Sequence, residues 1–326
     1  MNNRIKHIIK TLLQLLITLT IFVYITYKFD INIVDILEEL DVKYLIIAIL
    51  IRVFIMPVIS INRWKLFLKY SGVNESFFML LKISLVSSFF GIILPSSQGT
   101  DIMRMVMIEK RCKEKNVKIN STSSATVLIE RMIGFVLLAL IGFIASVIID
   151  YPNKLYVTGL IGCINLFLFL IIIVVTNKRI YFFTKGILEK IKIMRNIINY
   201  VDKLYYSIII FPFKKILFSS VCLILLFQLC TILVAFCIFK AFSVDLTFIQ
   251  HLAFYPLITI LSVIPISISG LGLREGFFVY FYNSVGILPS ISVTVSLINY
   301  FIEVLLYALI GGFVYLLQTF KIIKKI

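Results

Sequence analysis

Apolar runs of about twenty residues recur along the chain near 8–27, 44–60, 125–149, 155–175, 216–239 and 289–317. At about 1.5 Å of helical rise per residue, runs of that length match a hydrocarbon core roughly 30 Å thick. The pattern predicts an all-α polytopic membrane protein with about six full spans. Two other apolar runs, 77–94 and 247–264, behave differently. Each stops at a proline, Pro95 or Pro265, passes through small and polar residues, and resumes as a shorter apolar run at 102–109 or 275–283. Irregular backbone at membrane depth is tolerated only where protein or a wet cavity satisfies its polar groups, so both breaks are expected to face inward.

Charge decides how these broken segments thread. A full crossing at 77–94 would put the basic stretch KRCKEKNVK (110–118) outside, against the positive-inside tendency. A re-entrant hairpin over about 77–109 keeps that stretch in the cytoplasm, and a second hairpin over about 247–283 then enters from the opposite face. Most of the 32 Lys and Arg fall on cytoplasmic segments in this threading, and both termini are expected inside. The acidic loop 28–43 falls outside. Its Asp35, Glu38, Glu39 and Asp41 are read as a solvated loop or short surface helix rather than a metal cluster. The loop 176–215 interleaves Lys and Arg with Ile, Phe and Tyr, the signature of an amphipathic stretch on anionic lipid. No nucleic-acid role is expected of it.

The two breaks are alike. Pro95 and Arg104 are nine residues apart, as are Pro265 and Arg274, and Gly99 in the first answers Gly270 and Gly272 in the second. A long apolar helix with an early glutamate follows each, carrying Glu130 and Arg131 in one and Glu303 in the other. Units entering from opposite faces would form an inverted-topology repeat, an arrangement suited to alternating access.

Composition removes the remaining classes. A mean hydropathy of +1.06 with 61% hydrophobic and 15% charged residues excludes a soluble globular protein. The 326 residues are read as one membrane domain, 1–326, with no room for a separate catalytic domain. The basic start (Arg4, Lys6, Lys10) before 8–27 lacks a cleavage site and is read as preceding a retained span. The five cysteines lack metal-ligand spacing, and His7 and His251 are too far apart for an evident acid/base pair. No metal, cofactor or catalytic residue is assigned. Richness in Ile, Lys and Asn points to an AT-rich prokaryotic genome, and hence to a prokaryotic cytoplasmic membrane.

The chemistry rests on ionisable residues at membrane depth: Arg52, Lys82, Arg104, Arg131 and Arg274, against Asp101, Glu130, Glu275 and Glu303. At roughly 2.5–3.5 kcal/mol for each central lipid-facing charge, they must pair or line a wet interior. Arg52 and Lys82 are given a structural reading, since long basic side chains can snorkel. Asp101 is placed to cap the returning helix. Arg104 and Arg274 in a first helical turn oppose the macrodipole unless an anion is near, which suggests a phosphate site. In the rival structural reading, Arg104 pairs with Asp101 or Glu130, and Arg274 with Glu303.

Asn62-Arg63-Trp64, PSSQGTDIMR (95–104), Glu130-Arg131 and PISISGLGLREG (265–276), in that order, resemble the lysylphosphatidylglycerol synthase transmembrane, or flippase-like, family. Thr100 stands where the pattern often has a second glycine, and Ser269 replaces the first of a Gly-Gly pair. The resemblance covers the membrane region and nothing of the aminoacyl transferase domain that larger members carry. It implies translocation of an anionic or phosphate-bearing lipid, such as aminoacylated phosphatidylglycerol or a polyprenyl phosphate. Headgroup contacts would be Arg104, Arg274, Arg131 and Arg63, with Asp101, Glu130, Glu275 and Glu303 as charge partners. The alternatives are an integral-membrane transferase on the same lipids, which is disfavoured as an enzyme without the synthase domain, and a membrane partner of a separately encoded synthase or glycosyltransferase.

Overall fold

The computed structural model describes residues 40–93, 99–115, 122–189, 213–263 and 270–323, and positions 20, 27, 202, 205 and 206. Among these residues no strand occurs. The expected span at 8–27, most of the acidic loop 28–43, and the breaks at 94–98 and 264–269, with Pro95, Pro265 and Ser269, lie outside the described residues.

Helix α1 runs over Val42–Tyr70. Asp41, of the anticipated acidic loop, starts it by accepting the Lys43 N–H at 3.0 Å, satisfying one of the otherwise orphaned amides of a first turn. Pro57 has no N–H to donate one turn back, and the chain widens into a π-turn at Ile51–Ile55 just before it. Helix α2 is Phe77–Ile93 and α3 is Gly99–Glu114. At roughly 25 Å, α2 is shorter than the hydrocarbon core. The two helices are tied at both ends. At one end Glu75 is ion-paired to Lys115 (2.5 Å) and Arg111 (3.5 Å), and at the other a Cβ on Gly91 would lie 2.5 Å from the Thr100 nitrogen. Gly91, rather than a glycine at 100, permits the close approach.

Helices α4 (Thr122–Ile148) and α5 (Lys154–Thr176) follow, then the short α6 (Lys178–Leu188) and the long α7 (Phe213–Ala241). The second hairpin pairs α8 (Phe248–Leu261) with α9 (Leu273–Asn283). Its ends are also tied. His251 Nδ1 and the Tyr282 hydroxyl share a 2.6 Å hydrogen bond at one end, and Gly270 lies against the Ser262 carbonyl at the other. Gly270 (φ +77°) and Gly272 (φ +84°) use dihedrals that side chains disfavour, as expected of the break, whereas Gly99 is simply the first helical residue of α3. Helix α10 passes from Pro289–Tyr300 through a second π-turn at Phe301–Leu305 into Leu306–Ile323.

Among the described residues five helices, α1, α4, α5, α7 and α10, are long and apolar enough to cross a membrane, while α2 and α8 are shorter apolar helices. The chain is thus an all-α, multi-pass membrane protein. Its main core gathers around α7, where the rings of Phe236, Phe239, Tyr255 and Tyr282 surround His251. That packing holds α8 and α9 in place from behind and leaves their other sides to the site described below.

The described part of the basic loop is built on rings. Tyr181 of α6 stacks on Tyr205 with centroids 3.4 Å apart, and Asp202 accepts from the Tyr181 hydroxyl and from Lys185, both at 2.5 Å. Burial opposes ionisation of Asp202, but these two donors outweigh it and hold the carboxyl below its ordinary value. A depressed carboxyl pKa contributes stability above the unfolded value and loses it as pH falls through the folded one. Hydrogen exchange in α6 is therefore expected to be faster in Asp202→Asn than in the wild type at about pH 7, with the difference shrinking as pH falls below the ordinary carboxylate value of about 3.9 and through the lower folded one. Equal exchange at neutral pH would mean that Asp202 does not hold the loop.

Candidate functional site

Three elements of the first half converge at α1, α3 and α4. Arg63 of α1 donates through Nε to Glu130 of α4. Arg104 of α3 reaches the other Glu130 oxygen at 3.4 Å and Asp101 at 3.3 Å, and Asp101 also accepts from Arg131. The result is an alternating chain, Arg63–Glu130–Arg104–Asp101–Arg131, buried except for Arg131. Asp101 lies within the first turn of α3, and its carboxylate meets two guanidiniums in charge-assisted hydrogen bonds. One expectation is corrected here. Arg104 lies in the second turn rather than the first, so the dipole argument does not apply to it; two carboxylates offset its charge.

The second half supplies a matching group from α8, α9 and α10. Arg274, in the first turn of α9, donates to Glu275 at 2.8 Å and to the Ser296 hydroxyl at 3.0 Å. Glu275 in turn accepts the Gly272 N–H at 2.5 Å, which closes the turn where α9 begins. The expected pair of Arg274 with Glu303 is not formed, because the neighbouring carboxylate is nearer and already fixed by the turn and Ser296. Glu303 instead meets the Tyr255 hydroxyl and the Asn299 amide, each at 3.4 Å.

Arg52 joins the two groups, and its snorkelling reading is also corrected. It sits in the π-turn of α1 and donates at 2.5 Å to the backbone carbonyl of Glu303, in the π-turn of α10. Widened turns leave carbonyls without their usual partner, and here the guanidinium of one fills that vacancy in the other. Lys82 does not line the site.

A single cavity of about 330 Å³ connects these groups between α1, α4, α7 and α10. Five arginines line it (Arg52, Arg63, Arg104, Arg131 and Arg274) against Asp101, Glu130 and Glu303, so positive charge exceeds negative by two in the lining, and by one once Glu275, paired to Arg274 behind it, is counted. Hydroxyls and an amide from Ser84, Ser88, Thr231, Thr259 and Gln228 complete a polar wall inside an otherwise apolar bundle. Four of the arginines lie over aromatic rings, with these distances from Cζ to the ring centroid: Arg52 over Tyr307 (4.8 Å), Arg63 over Phe227 (4.6 Å), Arg104 over Trp64 (4.3 Å) and Arg274 over Tyr300 (4.8 Å). A ring beneath a guanidinium attracts its charge while leaving N–H groups free to donate. Arg104 Nε and Arg52 Nε are buried without a hydrogen-bond partner among the described residues. Chemically, the cavity can hold an oxyanion through several fixed donors. Among the described residues no cluster could hold a metal ion.

Sequence reasoning placed Arg52 at membrane depth but gave it no part in the site, and it missed Asn299, Tyr255 and the rings of Phe227, Tyr300 and Tyr307. Pro57, shortly after Arg52, was the available signal for a disturbed helix. None of the curated proteins compared with the chain matches it. The family model of the lysylphosphatidylglycerol synthase TM region matches residues 11–311. With nearly the whole chain and both arginine groups inside that match, the protein belongs to the family of the lysylphosphatidylglycerol synthase transmembrane region.

Proposed function

We propose that the protein moves an anionic, phosphate-bearing lipid between the leaflets of the cytoplasmic membrane, with both of its termini in the cytoplasm. The observation that carries this reading is the arginine excess in a cavity between spanning helices. A phosphate headgroup supplies the missing negative charge, while its acyl or prenyl tails stay in the surrounding lipid. Arg104 and Arg274, on the two broken-helix hairpins, are the headgroup contacts. Arg63 and Arg131 orient Glu130 and Asp101 around them. The short helices α2 and α8 act as half-spans that both line this cavity, an arrangement that favours alternating exposure to either side.

The test is leaflet exchange of headgroup-labelled phosphatidylglycerol in proteoliposomes. Arg104→Ala and Arg274→Ala are each expected to lower the protein-dependent rate by about tenfold or more, as loss of a charge-assisted contact of about 1.5–3 kcal/mol implies. Wild-type exchange no faster than in protein-free vesicles would end the proposal. A covalently altered lipid seen by mass spectrometry would replace it with a transferase.

A further inference from the structure

We propose that Glu303 is a proton-binding site, and that a proton there and an anion in the cavity bind together. The cavity carboxylates Asp101 and Glu130, and Glu275 beside Arg274, are all held by guanidinium groups. Glu303 differs from them. Among the described residues no ion pair reaches its carboxylate, although it lines the same cavity at the middle of a spanning helix.

Every neighbouring element contributes to this difference. From α1, Arg52 approaches but is committed to the Glu303 backbone carbonyl and the Tyr307 ring. From α9, Arg274 is committed to Glu275, Ser296 and the Tyr300 ring. From α8 comes the Tyr255 hydroxyl, and from α10 itself the Asn299 amide, both neutral donors at long range. Helix α7 brings Gln228 and Thr231 to the cavity wall, and α2 brings Ser84 and Ser88. Across the cavity Asp101, Glu130, Arg63, Arg104 and Arg131 are tied to one another.

A second observation points the same way. Asn299 is buried, and its side-chain oxygen has no hydrogen-bond partner among the described residues, while its nitrogen serves both Tyr255 and Glu303. A carboxylate can only accept, so it takes the amide nitrogen. A protonated carboxyl carries an O–H, and rotation of the same amide presents the idle oxygen to receive it. The site therefore has a partner ready for each protonation state. The proton comes from and returns to water reaching the cavity, and no covalent bond of the lipid changes.

Coupling follows from charge. Protonating Glu303 raises the positive excess of the lining from two to three, which favours an anion, and by linkage the anion favours the proton equally. Applied to lipid movement, this rests on the function proposed above, whereas the proton site itself does not. The expected coupling is about tenfold in proton affinity, within the usual range for linked sites.

The test is infrared difference spectroscopy of the full chain in nanodiscs, titrated in high salt to screen surface charge. A carboxylic C=O band is expected to appear on acidification, to be absent from Glu303→Gln, and to shift in wavenumber in Tyr255→Phe, which removes a hydrogen bond to that carbonyl. Replacing phosphatidylcholine by phosphatidylglycerol should move its appearance upward by about one pH unit, the tenfold coupling above. A band that survives in Glu303→Gln, does not shift in Tyr255→Phe, or titrates identically in both lipids would overturn the proposal. If Glu303→Gln does not fold, the Tyr255→Phe shift and the lipid dependence decide alone. In proteoliposomes, an imposed pH gradient should change exchange by the wild type and leave Glu303→Gln indifferent. Equal responses would remove the coupling of the proton to lipid movement and keep lipid exchange. A titrating band without any wild-type exchange would keep the site and remove the proposed function.

Discussion

Glu130→Leu is expected to lower the stability of the folded protein by about 3–5 kcal/mol, the cost of leaving buried charges without their partner. Its carboxylate is shared by Arg63 and Arg104, and all three side chains are buried. Arg104 would keep Asp101, but Arg63 would retain only the face of Phe227. An unpaired guanidinium at that depth must draw in water or leave its place, and either response separates α1 from α4. The measurement is thermal unfolding in a fixed detergent. Adding Arg63→Met to Glu130→Leu should recover most of the loss, because the stranded cation is then gone. Unfolding of Glu130→Leu at the wild-type temperature would show that the alternating chain does not hold these helices together.

Gly311→Ala is expected to prevent α2 and α10 from packing. A Cβ at Gly311 would overlap the Leu85 carbonyl, and one at the adjacent Gly312 would lie 2.8 Å from the Phe89 ring. A backbone carbonyl inside a helix cannot swing aside as a side chain can, so the whole of α2 must shift. Small residues at such contacts let helix backbones approach in lipid, where no hydrophobic force drives association. The yield of monodisperse protein should fall several-fold. Gly159→Ala is the control, since a Cβ there meets nothing within 4 Å. It should be neutral or stabilising by about 0.5–1 kcal/mol, the helical cost of glycine. Equal yields for the two variants would mean that the close approach of α2 and α10 is dispensable.

Much of this architecture is legible in one dimension because a bilayer imposes length. The runs at 44–60, 125–149, 155–175, 216–239 and 289–317 reappear as α1, α4, α5, α7 and α10. The apolar runs after which Pro95 and Pro265 were read as breaks reappear as the shorter helices α2 and α8. Partners are less legible, since ion pairing depends on which helices adjoin. Glu130 is equally available on paper to Arg104 and Arg131, and only the approach of α1 brings in Arg63. Arg52 looked like a residue that reaches for the interface, because nothing in its neighbours along the chain reveals a carbonyl on a helix 251 residues away. His251 was set aside for want of a second histidine, and its partner proved to be a tyrosine.

The two π-turns have a mechanical consequence. Each holds one residue more than an α-helical turn needs, so α1 and α10 carry slack at the two positions that touch through Arg52 and Glu303. Moving the extra residue to another turn of the same helix would rotate the residues between the old and new positions by about 100°, the angle one residue subtends, with an axial slip of about 1.5 Å. Glu303 or Arg52 would then swing away from the cavity while the ends of the helix stayed anchored. The protein thus contains a pair of swivels at its centre, and a small change in screw can redirect its charges without any helix leaving its place in the bundle.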